Sequence, residues 1–475
     1  MTIFHRAKAA DGEKGADVAD ADVEMNSPSS APAAVAEKRR LPGHHTVNEA
    51  GLRVTKGIAP DGESGRSWIH PWHFLRICFI STCRASMYVN VLWPFVPAAL
   101  AVRYARPDLS LVIFILSYIA MVPSANLVGF AGQEFSRKLP RVLGVLMETT
   151  FGSIVEIVLF MVLLKQKEYL VIQAAILGSI LATMLLCLGL CFFAGGLRRD
   201  EQTFDEAVSE VGNGLLLIAG LGLVVPTAFY TALNGTEMPA AELKTAVLQI
   251  SRITAILLII SYGFYIFFNM RSHHSIYDAI FLKDEHGDAD RHNDIIKPKL
   301  TLTESVLALA VSITLVTFMA IFLVMEIPHI VENNGISDLF MGLILVPLVE
   351  KAAEHITAID EAWDNTMNLA LAHVLGATIQ TALFNAPLAV VVSWGLHLEL
   401  DLNFDLFTIV VVILSIIVVG NFLKDRKSNY LEGALLVIVY IIIAVAAFYY
   451  PNPPGHGGGH EAGAEAGAEA PAEGH

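Results

Sequence analysis

Apolar positions in this chain come in long unbroken blocks, not in strict alternation or narrow helical stripes. The blocks at 109–131, 246–270, 302–324 and 404–423 each approach the roughly 20 residues a helix needs to cross about 30 Å of hydrocarbon. Lipid-facing strands would show segments of about 10 residues with alternating polarity, so a transmembrane barrel is excluded. The pattern predicts an all-α polytopic membrane protein with about eleven membrane helices, at 84–102, 109–131, 143–165, 169–196, 208–232, 245–270, 301–326, 336–362, 368–397, 404–423 and 430–450. An interfacial segment precedes the first, so 68–107 forms one unit. Residues 1–67 and the Gly/Ala/Glu/His tail 451–475 hold too little apolar surface to offset chain entropy and are expected to be disordered. No cleavable signal peptide is expected, because the amino-terminal stretch has no apolar core.

Composition agrees: 54% of residues are hydrophobic and 16% charged, with a mean hydropathy of +0.56. Soluble enzymes and nucleic-acid-binding modules are thereby excluded, and the lipid bilayer becomes the first partner. The net charge of -15 says little about cargo, since part of it sits in tail residues Glu461, Glu465, Glu469 and Glu473. Cys78, Cys83, Cys187 and Cys191 lie in or beside apolar segments and indicate neither disulfides nor a zinc cluster. With a cytosolic amino terminus, the short cytosolic loops hold 13 Lys and Arg against 5 on the opposite side, which favours that orientation. Oligomeric state is left open, a homo-oligomer included.

Comparing the acids inside the apolar blocks uncovers a repeat. The third span reads Phe151-Gly152-Ser153-Ile154-Val155-Glu156, and the eighth reads Val349-Glu350-Lys351-Ala352-Ala353-Glu354-His355. Each is followed by a small, polar patch, Leu177-Gly178-Ser179 through Thr183 and Leu375-Gly376-Ala377-Thr378-Ile379-Gln380-Thr381. Gly178 stands 22 positions after Glu156, and Gly376 stands 22 after Glu354. Five spans separate the units, and an odd offset inserts them in opposite directions, the inverted-repeat plan of secondary transporters.

A carboxylate inside an apolar helix costs several kcal/mol unless it faces a partner, an ion or water. Glu156 and Glu354 could brace helices by hydrogen bonding. Facing each other, they would form a hard-oxygen cation site whose oxygens also take protons, and competition of cation and proton for the same oxygens is itself an antiport mechanism. Ser179, Thr183, Thr378, Gln380 and Thr381 offer neutral oxygens. Gly178 and Gly376 allow either ordinary close packing or a break in the helix. His355 is placed to relay protons or to hydrogen-bond across the bundle. No cofactor is expected, there is no phosphate loop or His-Glu-x-x-His pair, and an intramembrane enzyme is disfavoured.

The motifs resemble the vacuolar-type calcium/proton exchangers of the calcium/cation antiporter superfamily. The resemblance covers roughly 85–450 and is carried by Val128-Gly129-Phe130-Ala131 with Glu134, the run 150–156, Leu177-Gly178-Ser179-Ile180-Leu181, Phe193-Ala194-Gly195-Gly196 with Gln202-Thr203-Phe204, Ser251-Arg252, Phe340-Met341-Gly342-Leu343-Ile344-Leu345 and Ala352-Ala353-Glu354-His355-Ile356-Thr357-Ala358. It implies one extra helix followed by two inverted five-helix halves, here 108–270 and 301–450, joined by an acidic, His-rich cytosolic linker at 271–300. It also implies a vacuolar or other internal membrane, calcium as the transported cation, Glu156 and Glu354 as shared cation and proton sites, and Ser153 as a supporting ligand. Glu134 would attract cations or gate.

Two departures bear on function. The family pattern Gly-Asn-Ala-x-Glu has Ser153 in place of the first Asn, and Glu350-Lys351 in place of the second Gly-Asn. Lys351 would snorkel out of the pathway, pair with Glu156 or Glu354 as a built-in cation, or retune selectivity together with Glu350. The family acid of the seventh span falls near Ile321, and the nearest acid here is Glu326, a candidate relay or gate. The alternatives to calcium/proton exchange are therefore an exchanger of altered selectivity and a transport-deficient homologue that regulates active exchangers. In the linker, His273, His274, Asp278, Asp284, Glu285, His286, Asp288, Asp290, His292 and Asp294 form either a cation-attracting segment or a solvated connection. Its spacing is not that of an EF-hand, with Gly287 at the fourth position from Asp284 and Ile295 at the twelfth. His456 and His460 in the tail would hold a metal only weakly.

Overall fold

The computed structural model describes residues 51–289, 291 and 297–452. The expected disorder of 1–50, linker residues Asp290, His292 and Asp294, and tail residues including His456, His460 and Glu461 lie outside the described residues. The order of helices is α1 (Pro71–Ile80), α2 (Arg84–Val89), α3 (Phe95–Ala105), α4 (Ser110–Ser136), α5 (Arg141–Gly152), α6 (Ile154–Gln166), α7 (Tyr169–Leu181), α8 (Leu188–Arg198), α9 (Glu206–Leu233), α10 (Ala240–Phe267), α11 (His274–Gly287), α12 (Leu302–Asn334), α13 (Asp338–Phe340), α14 (Val346–Glu350), α15 (Ala352–Trp363), α16 (Met367–Gln380), α17 (Ala386–Gly395), α18 (Leu406–Phe422) and α19 (Tyr430–Phe448).

Nine helical stretches among the described residues are long and apolar enough to cross a membrane. The place of the expected tenth span holds the shorter apolar helix α18, and that of the eighth is interrupted and carries Glu350, Lys351, Glu354, Asp360 and Glu361. Length and apolarity alone therefore give fewer spans than eleven. The stretches through α7–α8 and α16–α17 are 83% buried within the protein, against 17% for the one through α10. The two helices that follow the acids are thus central, and α10 turns Ile253, Leu257, Ile260 and Phe264 outward, as a lipid-facing helix does.

Connections gather on two faces. On one, Arg198 and Arg199 donate to the Trp363 carbonyl, Gln202 donates to that of Ala362, and Gln202–Thr203 (β1) pairs antiparallel with Lys427–Ser428 (β2). On the other, Lys244 pairs with Glu399 and Gln173 donates to Asp401. This grouping is the same as that of the loops in the charge count.

Two expectations need correction. The linker is not simply a solvated connection: α11 places Tyr277, Ile280, Phe281 and Asp284 on one buried stripe at helical spacing. Asp284 caps α16, its Oδ1 accepting from Asn368 Nδ2 at 2.7 Å and its Oδ2 from Leu369 N at 3.0 Å. Residues 51–67 are likewise ordered. Glu63, 3% exposed, accepts from Thr55 N and Gly65 N. Burial pushes its carboxyl up, but these hydrogen bonds outweigh it and leave the pKa below the ordinary value. Lys138 Nζ donates to the carbonyls of Gly62 at 2.9 Å and Leu300 at 2.7 Å, tying both flanks to the end of α4.

Candidate functional site

Both acid-bearing helices are broken at the same relative place. Ser153 separates α5 from α6, and Lys351 separates α14 from α15, each three positions before its acid. Glu156 and Glu354 therefore stand in a first helical turn, where unpaired backbone N–H groups favour negative charge. The following helices repeat the correspondence, with π-helical turns at Ala182–Cys187 between α7 and α8 and at Thr381–Asn385 between α16 and α17. Such widened turns interrupt the regular ladder of backbone hydrogen bonds and often mark functional sites.

The ammonium of Lys351 joins the two acids. Its Nζ lies 2.8 Å from Glu156 Oε2 and 3.3 Å from Glu354 Oε2, and the side chain is 1% exposed. The same Glu156 oxygen accepts from Thr381 Oγ1 and Asn385 Nδ2, both at 2.8 Å, while Oε1 has no partner. Glu350 is buried within electrostatic reach of Glu156, Lys351 and Glu354, beside Ser179, yet neither of its oxygens makes a hydrogen bond of good geometry. Three carboxylates against one ammonium leave a formal charge of two minus, as two carboxylates alone would: Glu350 and Lys351 replace a Gly-Asn pair without changing net charge.

The other expected residues divide. Ser153 Oγ, Ser179 Oγ and Gln380 Oε1 are buried without partners, free to turn toward an ion. Thr183 and Thr378 spend their hydroxyls on the carbonyls of Ser179 and Val374. His355, 6% exposed, has an unpartnered Nε2. Lys351 does not snorkel. Glu326 instead pairs with Arg103 away from the Glu156 cluster, because the last turns of α12 reach the end of α3. Glu134 binds Arg137 and accepts from Leu300 N at 2.8 Å, bracing a chain crossing outside the cluster. Asn385 was missing from the sequence-derived set; its position one turn beyond Thr381 on the same face is the signal that could have found it.

The two helix crossings differ. A Cβ at Gly178 would strike the Leu343 carbonyl, and one at Gly342 would strike α7 at Val171 and Ala174. The equivalent crossing is loose, since a Cβ at Gly376 would make only ordinary contacts, with Thr149 at 3.7 Å and the Tyr265 hydroxyl at 3.9 Å. Beside that loose crossing lies a cavity of about 40 Å³, lined by Glu148, Thr183, Glu354, His355 and His373 among others. At Gly152 a Cβ would collide with the Glu354 carboxylate, so this glycine lets the acid approach α5.

The sequence pattern of the family described as sodium/calcium exchanger protein matches residues 109–271 and 304–449. A vacuolar calcium ion transporter of Schizosaccharomyces pombe is 33% identical over 369 residues, 77% of this chain and 86% of its own. A Ca(2+)/H(+) antiporter of Aphanothece halophytica is 34% identical, covering 76% of this chain and 96% of its own. Among solved structures, the Ca2+/H+ antiporter protein YfkE superposes with a TM-score of 0.61 at 26% identity, over 77% of this chain and 99% of its own. An H+/Ca2+ exchanger, CAX, shares the fold with a TM-score of 0.53 at 14% identity, over 77% of this chain and 92% of its own.

Proposed function

The chain belongs to the sodium/calcium exchanger family, and from that premise we propose that it is a secondary cation/proton antiporter that carries calcium by alternating access. The observation that carries this reading is the Lys351 ammonium held between Glu156 and Glu354 at two matching helix breaks. The ammonium stands where a transported cation would bind, as a tethered competitor. Calcium entering the site displaces it and engages Glu156, Glu350 and Glu354, with Ser153, Ser179 and Gln380 turning their free oxygens inward. The unchanged net charge supports retention of a divalent cation as cargo. Protons on two of these three carboxylates replace the two charges of calcium and discharge the ion, and the one carboxylate still ionised takes Lys351 back. The tight Gly178 crossing and loose Gly376 crossing support two states that exchange roles between halves 108–270 and 301–450. Relatives named as vacuolar support an internal, vacuolar membrane, and the excess of Lys and Arg in one set of loops supports a cytosolic amino terminus.

A second reading draws on the same ion pair: a transport-deficient homologue that regulates active exchangers, its site filled permanently by Lys351. Proton-gradient-driven calcium-45 uptake into proteoliposomes separates the two. The antiporter reading predicts uptake by the wild type that Glu354→Gln abolishes. Wild-type uptake equal to that of empty liposomes, with no gain in Lys351→Asn, would leave the regulator.

A further inference from the structure

Glu148, Glu361 and His373 come from three different helices, α5, α15 and α16, and their ion pairs are with one another and not with Lys351. The His373 ring is gripped from both sides, with Nδ1 2.8 Å from Glu361 Oε2 and Nε2 3.7 Å from Glu148 Oε2. One ligand atom from each residue falls within 4.8 Å of the others, and the side chains are only 12%, 20% and 11% exposed for His373, Glu148 and Glu361. Glu148 and His373 line the same cavity as Glu354, and its volume of about 40 Å³ holds about three waters at 10–15 Å³ each. His355, itself 6% exposed, also lines it and offers an Nε2 with no partner. Glu361 sits two residues before Trp363, whose carbonyl binds the Arg198 loop, so the group lies at the end of the cavity nearer that face.

We infer that Glu148, Glu361 and His373 form a second cation site, for a first-row divalent transition ion, at the outer end of the cavity that leads to Glu354. Two carboxylates and an imidazole are a borderline donor set. Imidazole suits zinc, copper, iron or nickel, whereas calcium takes six to eight oxygens. One carboxylate can also orient the ring while the other shares the ion with it, a common arrangement around metal-bound histidine. The cavity leaves room for the waters that complete the coordination. This inference goes beyond the cargo of the central site and does not depend on transport.

Cobalt(II) is a suitable probe, because its visible absorption reports ligand type directly. Full-length protein in detergent is titrated with cobalt and followed by absorption, beside His373→Gln, Glu148→Gln, Glu354→Gln and His373→Cys. The expected result is one site whose affinity falls at least tenfold in His373→Gln and Glu148→Gln and changes less than threefold in Glu354→Gln. His373→Cys should keep the site and gain a near-ultraviolet thiolate-to-cobalt band, a signal that misfolding cannot produce. Affinity unchanged in His373→Gln, a site lost only in Glu354→Gln, or no thiolate band in His373→Cys would overturn the inference and leave an ion-paired histidine only. Calcium uptake, measured separately, distinguishes failure here from failure of the central site.

Discussion

Removing both partners of the Glu156–Lys351 pair should cost less than the sum of removing each alone. Glu156 is 0% exposed and Lys351 1%, with 2.8 Å between the charged atoms. At an effective dielectric of about 20, that separation corresponds to roughly 6 kcal/mol of attraction, and the 3.3 Å to Glu354 to roughly 5 kcal/mol. Most of this is offset by the loss of hydration, and truncating one member of a buried pair generally costs about 3–5 kcal/mol. Glu156→Gln should fall near the lower limit, because Lys351 keeps Glu354. Lys351→Met should approach the upper one, because Glu156, Glu350 and Glu354 then share a buried region with no counter-charge. The double variant Glu156→Gln/Lys351→Met should be destabilised by less than the sum, with a coupling energy of about 2 kcal/mol or more. Urea unfolding in a mild detergent, followed by circular dichroism, supplies the four free energies. A coupling below about 0.5 kcal/mol would mean that the ammonium is not held by Glu156, and the tethered-cation argument would fail.

Lys351→Asn should lower the calcium concentration for half-maximal uptake by about 10–100-fold, since a hydrogen bond to a charged group is worth about 1.5–3 kcal/mol; an unchanged value would show that Lys351 does not compete with cargo. Gly178→Ala should destabilise this conformation by about 1–3 kcal/mol through collision with Leu343, whereas Gly376→Ala should leave the melting temperature unchanged and still block uptake, and uptake by Gly376→Ala would refute exchange of roles between the crossings. Burial raises the Asp284 carboxyl despite hydrogen bonds from Asn368 and Leu369. A raised carboxyl pKa makes the folded state hold its proton longer than the unfolded chain, so the group's contribution to stability falls as pH rises from about 4 upward. Asp284→Asn should remove that part of the slope of melting temperature against pH, and equal slopes would contradict it.

Membrane helices and their order were legible because hydrocarbon leaves a chain few choices, and continuous apolar runs are the signature of the commonest. The acid-bearing repeat was legible for a similar reason: an acid in an apolar helix has few uses, and a spacing of 22 recurring in both halves is not a packing requirement. Side-chain partners were less so. Lys351 has a stem long enough to snorkel, pair or retune, and only the three-dimensional meeting of α6 with the break after α14 selects the pairing. Asn385 and the group of Glu148, Glu361 and His373 escaped because each residue reads alone as an ordinary polar position, and residues from three helices converge only on folding. Glu326 misled because sequence distance from Ile321 resembled a shifted ligand, while the turn of α12 brings it to Arg103. The linker misled through its charges, which mask the apolar stripe of α11.

The central claim is that cation and proton share the same carboxylates, and counterflow measured in one vesicle tests it most directly. Proteoliposomes loaded with acid and a pH-sensitive dye are given external calcium-45, and proton loss and calcium gain are recorded together. The account predicts that calcium triggers proton release in fixed proportion to uptake, and that Glu354→Gln removes both fluxes. Calcium uptake without proton release, or proton release that persists in Glu354→Gln, would contradict it.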